Sequence, residues 1–499
     1  MLSVAEIKRF IEDDIASEKK KFAAIGQRYY EADHDIKKYR MFYINKDGKY
    51  VEDTTRANIK IPHPFFTELS DQLSAYLLSF DENPIRAKET ETAKGLQEHL
   101  DSYFDEDFWS EISELITGTY NKGFEYIYAY KNAENRTVFQ CADSMGVVEV
   151  RAKDTDDNCE YYIYWYTDRI DKGRKKIRRI QVWSKTETHY FVQAGTTGKI
   201  QVDKDAAINP RPHVVVNKDG KKYAGQPYGF IPFWKMQNNR KEISGIQPIK
   251  PLIDDYDLHA CSLSNNLKDF DTPLFAIKGF DGDDPDELFI NVRTKKTVGV
   301  ASDGGIDMKT VEIPYEARKA KLEIDEKNIY KFGMGLNTSG LKDSTSTTNI
   351  QIKMLYTLLD LKANKMETQL KKVLKKLLKV VLDEINAEHN TAYQMSDIKF
   401  EFTRKIMTNE TENISNEKTK ADTKAVEINT LLNLATFIDD ETILKLICEQ
   451  LDIDYEEIKD KVEKMNAEKE AEEAKKALEG IVPDDEPIDE PIDEPVIEE

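Results

Sequence analysis

Apolar residues recur at intervals of three and four through Ile246, Ile249, Ile253, Tyr256, Ala260, Leu263, Leu267 and Phe270, the spacing of one narrow helical stripe opposite a polar face. Pro251 is tolerated only in a first turn or at a kink, so this helix either begins near Lys250 or bends there. After Asp271-Thr272-Pro273 the period changes. Leu274 to Ile277, Leu288 to Val292 and Val298 to Val300 read as short strands separated by Gly and Asp turns. Helical spacing returns at about Tyr315 and lasts to about Met334. The thirteen residues from Asn337 to Asn349 hold one large apolar side chain, too polar to bury and too long for a simple turn, which predicts an exposed, mobile loop. From Ile350 to about Asn390 there is neither Gly nor Pro. One continuous helix there would span roughly 60 Å at about 1.5 Å per residue. A compact enzyme rarely uses such a helix, whereas a subunit lining a tall ring or tube does.

The flanking regions carry other periods. Residues 3 to 44 read as helical, with Ile7, Phe10, Ile11 and Ile15 on one face and Lys19-Lys20-Lys21 on the other. His34 stands between Asp33 and Asp35; with no second cluster nearby it reads as a structural hydrogen-bond partner rather than a metal or acid–base site. Asn58 to Phe66 is an extended, Pro-punctuated entry to a helix over 67–80, and further helices are expected over 92–104 and 108–120. From Gly123 to about Val202 the period is two, predicting one antiparallel sheet with turns at Asp171-Lys172-Gly173 and Ala194-Gly195. The aromatic runs at 126–130 and 161–166, with Arg169, Arg174, Arg178 and Arg179, fit a base-stacking platform but fit ordinary sheet packing better. Beyond the long helix, Ile398 to Phe402 reads as a strand returning to that sheet, followed by helices over 412–437 and 440–449 and a charged helical stretch over 455–478. The repeated Asp-Glu-Pro-Ile tail has too much charge and proline to form a core and is expected to be disordered.

Composition narrows the function classes. A length of 499 residues suggests about three domains. A net charge of −21 argues against a protein that clamps nucleic acid by neutralising phosphates, yet allows DNA to slide past without sticking. Four dispersed cysteines, Cys141, Cys159, Cys261 and Cys448, with no CxxC pair imply reduced thiols and no disulfide framework. No apolar signal segment opens the sequence and no run of about 18 apolar residues occurs, so neither secretion nor a membrane span is expected. Phosphate-loop, dinucleotide, nucleophile-elbow and zinc-protease motifs are missing, which leaves nucleotide hydrolysis and the common hydrolase chemistries, with their cofactors, unsupported.

Two charge clusters remain as candidates. Asp281, Asp283, Asp284, Asp286 and Glu287 have the residue types to hold a divalent cation for nuclease chemistry, but the spacing does not fit an EF-hand, and an acidic solvated turn is the preferred reading. Lys371, Lys372, Lys375, Lys376 and Lys379 would touch phosphate or an acidic neighbouring subunit, or simply form a solvated face opposite Val373, Leu374, Leu377, Leu378 and Val381.

A series of short pieces, in order over roughly residues 20 to 405, resembles the SPP1-type portal proteins of tailed bacteriophages. They are Tyr29-Tyr30 with His34-Asp35-Ile36; Asn58 with Pro62 and Phe65; Gly229 to Phe233; Ser244-Gly245 leading into Leu252 to Tyr256; Asp269-Phe270-Asp271; and Ser339-Gly340 before the long helix, with Leu359-Asp360-Leu361-Lys362-Ala363. Ala32 stands where the family usually has Gly. The resemblance implies an α+β portal fold: an α/β wing (1–244, completed by 350–408), a two-helix stem (245–270 and 315–334), a small α/β clip (271–314), a tunnel loop (335–349) before the long helix, an α-helical crown (409–478) and a disordered acidic tail (479–499). It also implies a ring, usually of twelve subunits, at one capsid vertex of the virion, made in the host cytoplasm. Double-stranded DNA would pass through the ring during packaging, retention and ejection, without enzymatic chemistry, metal or membrane. Implied partners are the terminase large subunit, a head–tail adaptor, the scaffold and the major capsid protein. Thr338, Ser339, Lys342, Ser344, Thr345, Ser346, Thr347, Thr348 and Asn349 would meet DNA, and Asp281, Asp283, Asp284, Asp286 and Glu287 would face the clip's partners. Two other readings compete: a metal-dependent DNA-processing enzyme built on the acidic cluster, and a scaffold or adaptor of the head that forms no channel.

Overall fold

Two serines punctuate the first thirty residues. Ser3 caps α1 (Val4–Ala16) in a capping box with Glu6, and Ser17 caps α2 (Glu18–Tyr30) by accepting the Lys20 amide. The helix expected over 3–44 is therefore two helices, a 3-10 turn (Asp35–Lys38) and a hairpin of β1 (Phe42–Ile44) with β2 (Tyr50–Glu52). Ile7 and Ile11 are buried but Ile15 is exposed, and Lys20 is not on a solvated face. Its buried ammonium pairs with Asp14 at 3.0 Å and donates to the Ser144 and Val147 carbonyls. Ala32 ends this region at φ 52°, keeping the left-handed backbone that a glycine would hold more easily.

The structure is a computed structural model that describes residues 1–132, 135–153, 158–218, 222–269, 274–280, 300–309, 314–338, 349–405, 410–433, 440–451 and 455. It divides into two units, Met1–Met407 and Thr408–Glu499. In the first, α3 (Phe65–Leu77), β3 (Ile85–Ala87), α4 (Leu96–Tyr103) and α5 (Glu106–Lys122) precede a run of strands. These are β4 (Phe124–Lys131), β5 (Thr137–Ala142), β6 (Val147–Val150), β7 (Tyr161–Ile170), β8 (Lys175–Trp183), β9 (Glu187–Ala194), β10 (Ile200–Val202), β11 (Arg211–Pro212), β12 (Val214–Lys218), β13 (Lys222–Gln226) and β14 (Phe233–Gln237).

The strands do not make the single sheet that their period suggested. One sheet runs β14-β4-β5, a second runs β10-β9-β8-β7-β6 with β11 beside β9, and β12 pairs only with β13. Aromatic side chains lock the first two together: Phe233 stacks on Tyr128 at 5.0 Å and on Tyr162 at 5.2 Å, with Trp183 edge-on at 5.2 Å. The aromatic runs are thus spent on packing. Arg179 bonds Asp168 and Asp203, and Arg178 lies over Trp165, so neither guanidinium waits for a base.

The second half of the unit holds α6 (Lys250–Asp269), β15 (Leu274–Phe280) paired with β16 (Val300–Lys309), α7 (Tyr315–Gly333), α8 (Asn349–His389) and β17 (Ile398–Phe400). Pro251 occupies the first turn of α6, so the helix starts there instead of bending. Helix α8 is one unbroken element of 41 residues. Leu370, Val373, Leu374, Leu377 and Val381 bury one face of it, while Lys372, Lys375, Lys376 and Lys379 are exposed and Lys371 bonds Glu367 at 2.6 Å. β17 pairs with β3 in a separate ribbon and does not rejoin the larger sheets. In the second unit, α9 (Glu410–Asn433) and α10 (Asp440–Leu451) pack on each other. The expected strand Leu288–Val292, the charged stretch after Tyr455 and the acidic tail lie outside the described residues.

The core gathers where α3, α5 and α8 meet β4 and β14. Gly245 shows how tightly it closes: its amide donates to the Tyr120 carbonyl at 2.9 Å, and a Cβ there would fall 2.3 Å from the Tyr120 ring. Gly245→Ala should lower unfolding free energy by about 1–3 kcal/mol through overpacking. The check is a urea titration, in which the midpoint falls while the slope stays unchanged.

Candidate functional site

The two helices on either side of β15 and β16 are held from different directions. Helix α6 presents Asp257, Cys261, Asn265 and Asp269 at every fourth position, and each accepts one backbone N–H from an extended segment beside it. His63 donates to Asp257 at 2.9 Å, Ile61 to Cys261 at 3.2 Å, Ile59 to Asn265 at 2.6 Å and Ala57 to Asp269 at 2.8 Å. Four residues of helix rise about 6 Å, close to the roughly 6.6 Å of two extended residues, so the ladder stays in register over four rungs. The polar face of α6 is therefore a backbone rack, and Asp257 is fully buried.

His34 closes the top of this rack as the structural partner expected. It is fully buried, with Nδ1 2.6 Å from Asp257 Oδ2 and its ring stacked on Tyr29 at 4.5 Å. His63 Nδ1 lies 2.7 Å from the other Asp257 oxygen. Burial alone would raise the Asp257 carboxyl, but the two imidazole hydrogen bonds outweigh it and hold the group below its ordinary range.

Helix α7 ends at the polar loop, and one face of α3 holds that end. Gly333 and Gly335 lie against Leu69, where a Cβ on either would meet its side chain at 2.5 Å or less. Gln72 bonds Leu336 twice, accepting its N–H and donating to its carbonyl, each at 2.9 Å. Glu68 accepts the Tyr330 hydroxyl, and Met334 caps α7 at φ 53°. Then Lys362, thirteen residues into α8, reaches back. Its Nζ donates to Leu69 O and to Gly333 O, each at 3.1 Å, and sits 4.0 Å from the Tyr120 ring centre. Gly333 O is one of the carbonyls a helix end leaves unbonded, so a cation from beyond the loop satisfies it.

Of the residues singled out in the sequence for DNA, Thr338 and Asn349 are described, at the close of the α7 exit and at the start of α8. Ser339, Lys342, Ser344, Thr345, Ser346, Thr347 and Thr348 lie outside the described residues, as do Asp281, Asp283, Asp284, Asp286 and Glu287. The structure ties the helix before the loop to the helix after it through the Lys362–Gly333 bond. Sequence reasoning missed Lys362, although a signal was there: it occupies an apolar-stripe position between Leu359 and Met366. Among the described residues no group of three or more His, Cys, Asp or Glu is placed to hold a metal ion, and no helix is long and apolar enough to cross a membrane.

Burial pushes Lys362 down to about 7 from the ordinary 10.5. The unfolded chain keeps its proton up to the ordinary value, so folding releases a proton between pH 7 and 10.5, and this group makes stability rise with pH across that window. Below about pH 7 both states are protonated and its contribution is flat. Lys362→Met should remove that slope in urea titrations between pH 6 and pH 10, while Lys362→Glu should cost about 3–5 kcal/mol through an unpaired buried charge. Parallel curves for wild type and Lys362→Met would show that the amine does not titrate in the fold.

A family model described as phage portal protein, SPP1 Gp6-like, matches residues 10–476. A portal protein of Bacillus phage SPP1 is 27% identical over 347 residues, spanning 69% of this chain and 66% of that protein, just under two thirds of its length. A portal protein of Clostridium phage phiCD119 is 23% identical over 430 residues, 82% of this chain and 88% of that protein. Among solved structures, a chain from the virion of a native gene transfer agent particle aligns with 77% of this chain and 90% of its own length, at 13% identity and a TM-score of 0.38. A chain from the neck of an empty particle of that agent covers 62% of this chain and 76% of its own, at 15% identity and a TM-score of 0.35. With a family match running across nearly all of its length, this chain belongs to the SPP1 Gp6-like phage portal proteins.

Proposed function

We propose that the chain closes into a ring at one vertex of a phage capsid, and that double-stranded DNA is packaged, held and released through the hole on its axis. The observation that carries this reading is an uncovered apolar stripe. Ile350, Met354, Leu358 and Leu361, with Leu355 beside them, are exposed along the first third of α8, directly after the loop. Helix α8 is otherwise well covered: from Leu359 onward its apolar face is buried in the core. Contiguous apolar surface of this kind marks an interface, and neighbouring copies of the same chain supply its cover in a ring.

In this reading residues 1–244 and 350–408 form the wing, 245–270 and 315–334 the stem, 271–314 the clip, 335–349 the tunnel loop and 409–478 the crown. Hydroxyl and amide side chains of the loop offer weak, exchangeable contacts to phosphates without reading bases, and Lys342 adds one attraction per subunit. A net charge of −21 per subunit keeps the duplex from sticking as it moves. The chain has a structural role, and a separate motor, the terminase large subunit, supplies ATP hydrolysis. The clip acids from Asp281 to Glu287 suit docking of that motor and of a head–tail adaptor, and the wing suits contact with scaffold and major capsid protein.

Negative-stain images of the purified protein should show rings with a central hole. Met354→Asp combined with Leu358→Asp should abolish rings while leaving the circular dichroism spectrum unchanged and the unfolding free energy within about 0.5 kcal/mol of wild type, since both side chains are exposed in the single copy. Replacing residues 339–348 with a short Gly-Ser linker should keep rings but reduce DNA retention in filled heads. Retention unchanged by that replacement would remove the loop from the mechanism.

A further inference from the structure

The hairpin of β1 and β2 joins no larger sheet among the described residues, and apart from half-buried Val51 its strand side chains are exposed on both faces. Successive strand residues point to opposite faces, yet Phe42, Tyr43 and Ile44 are each at least half exposed, and Tyr50 across from Ile44 is 77% exposed. A lone two-stranded ribbon is marginal in water. Its base, by contrast, is firmly tied: Asp53 N–H bonds Met41 O at 2.9 Å, and the next residues enter the four-rung ladder along α6. The hairpin is an arm on a rigid mount.

Its charge is also opposite to that of the molecule. At its base that is so: residues 37–41 and 54–60 carry five Lys and Arg and no Asp or Glu in a chain whose net charge is −21, while the hairpin itself, residues 42–52, is neutral, with Lys46 and Lys49 against Asp47 and Glu52. Lys38, Lys46, Lys49 and Lys60 take part in no ion pair among the described residues.

We propose that this arm docks on a second copy of the chain. The inference rests on the ring reading and specifies one of its contacts. Phosphates would satisfy the lysines but would leave Phe42, Ile44 and Tyr50 in water, whereas a protein surface covers both. The rest of the chain is strongly acidic, so a neighbouring copy offers the complementary charge. The arm and the α8 stripe are two unlike uncovered surfaces on one chain, as a head-to-tail ring requires.

The test uses the full-length chain. A photo-reactive phenylalanine analogue replaces Tyr43, and a 1:1 mixture of normal and nitrogen-15 protein is assembled, irradiated and digested. Cross-linked peptides of mixed isotope are expected, joining residue 43 to another copy. Same-isotope pairs alone, or adducts to added duplex DNA in their place, overturn the proposal. In parallel, the combined variant Phe42→Ser, Tyr43→Ser, Ile44→Ser, Tyr50→Ser should unfold at the wild-type midpoint, because none of these side chains is buried. It should raise the protein concentration needed for assembly at least about tenfold. Assembly at the wild-type concentration overturns the proposal, and rings that persist with only intrachain cross-links overturn the arm while leaving the ring reading intact. No assembly of the wild-type chain overturns both.

Discussion

The rest of the first unit depends on one face of α3. Within five residues, Glu68, Leu69 and Gln72 hold the last turn of α7 and the residues that leave it, and the Leu69 carbonyl shares the Lys362 ammonium with Gly333. Two glycines make the approach feasible, because any side chain at 333 or 335 would occupy the volume of Leu69. Lys362 makes it a junction of four helices: it belongs to α8, bonds α3 and α7, and lies over an α5 ring. A lone buried ammonium costs several kcal/mol in desolvation, and two carbonyls at 3.1 Å with an aromatic face offset only part of that. What the arrangement secures is position. The helices entering and leaving the polar loop share one buried amine, so neither can shift without breaking its hydrogen bonds.

A second set of contacts does the same for α6. An ordinary amphipathic helix would bury its apolar stripe and leave its polar face to water. Here the polar face carries backbone ladder bonds, and the Asp257 carboxylate takes an imidazole on each side. The extended segment before α3 is therefore fixed to α6, and α3 is fixed to α7. Two helices far apart in sequence are braced by the same N-terminal stretch.

How much of this was legible in the sequence depends on whether the signal was local. Periodicity found α6, α7 and α8 with their ends nearly right, because Pro251, the polar loop and a Gly-free and Pro-free run are local facts. It failed at Ser17, where a capping hydroxyl interrupts a helical pattern that the apolar spacing carries straight through. It merged two sheets into one, since alternation says which residues form strands but not which strands pair, and the aromatics joining the sheets look the same on either side. The α6 rack and Lys362 were out of reach for another reason. A polar residue repeating every four positions reads as a solvated face until an extended chain is seen lying on it. A lysine in an apolar stripe reads as an exception until two carbonyls are found at its tip.

Charge then decides which uncovered surfaces can meet. A net −21 on every copy repels at long range, but at physiological salt the screening length is about 8 Å, so distant charges on neighbouring copies barely interact. What matters is the sign within that distance. The sequence is uneven on this scale: the segments at the base of the hairpin, 37–41 and 54–60, are cationic, and the exposed face of α8 carries four lysines within eight residues, from Lys372 to Lys379. Grouping cations in these stretches leaves the remaining sequence more acidic than the average implies, and in the proposed ring that would favour local attraction between unlike patches of adjacent copies. In the ring proposed above, one distribution of charge would serve both cohesion between subunits and slip along phosphate.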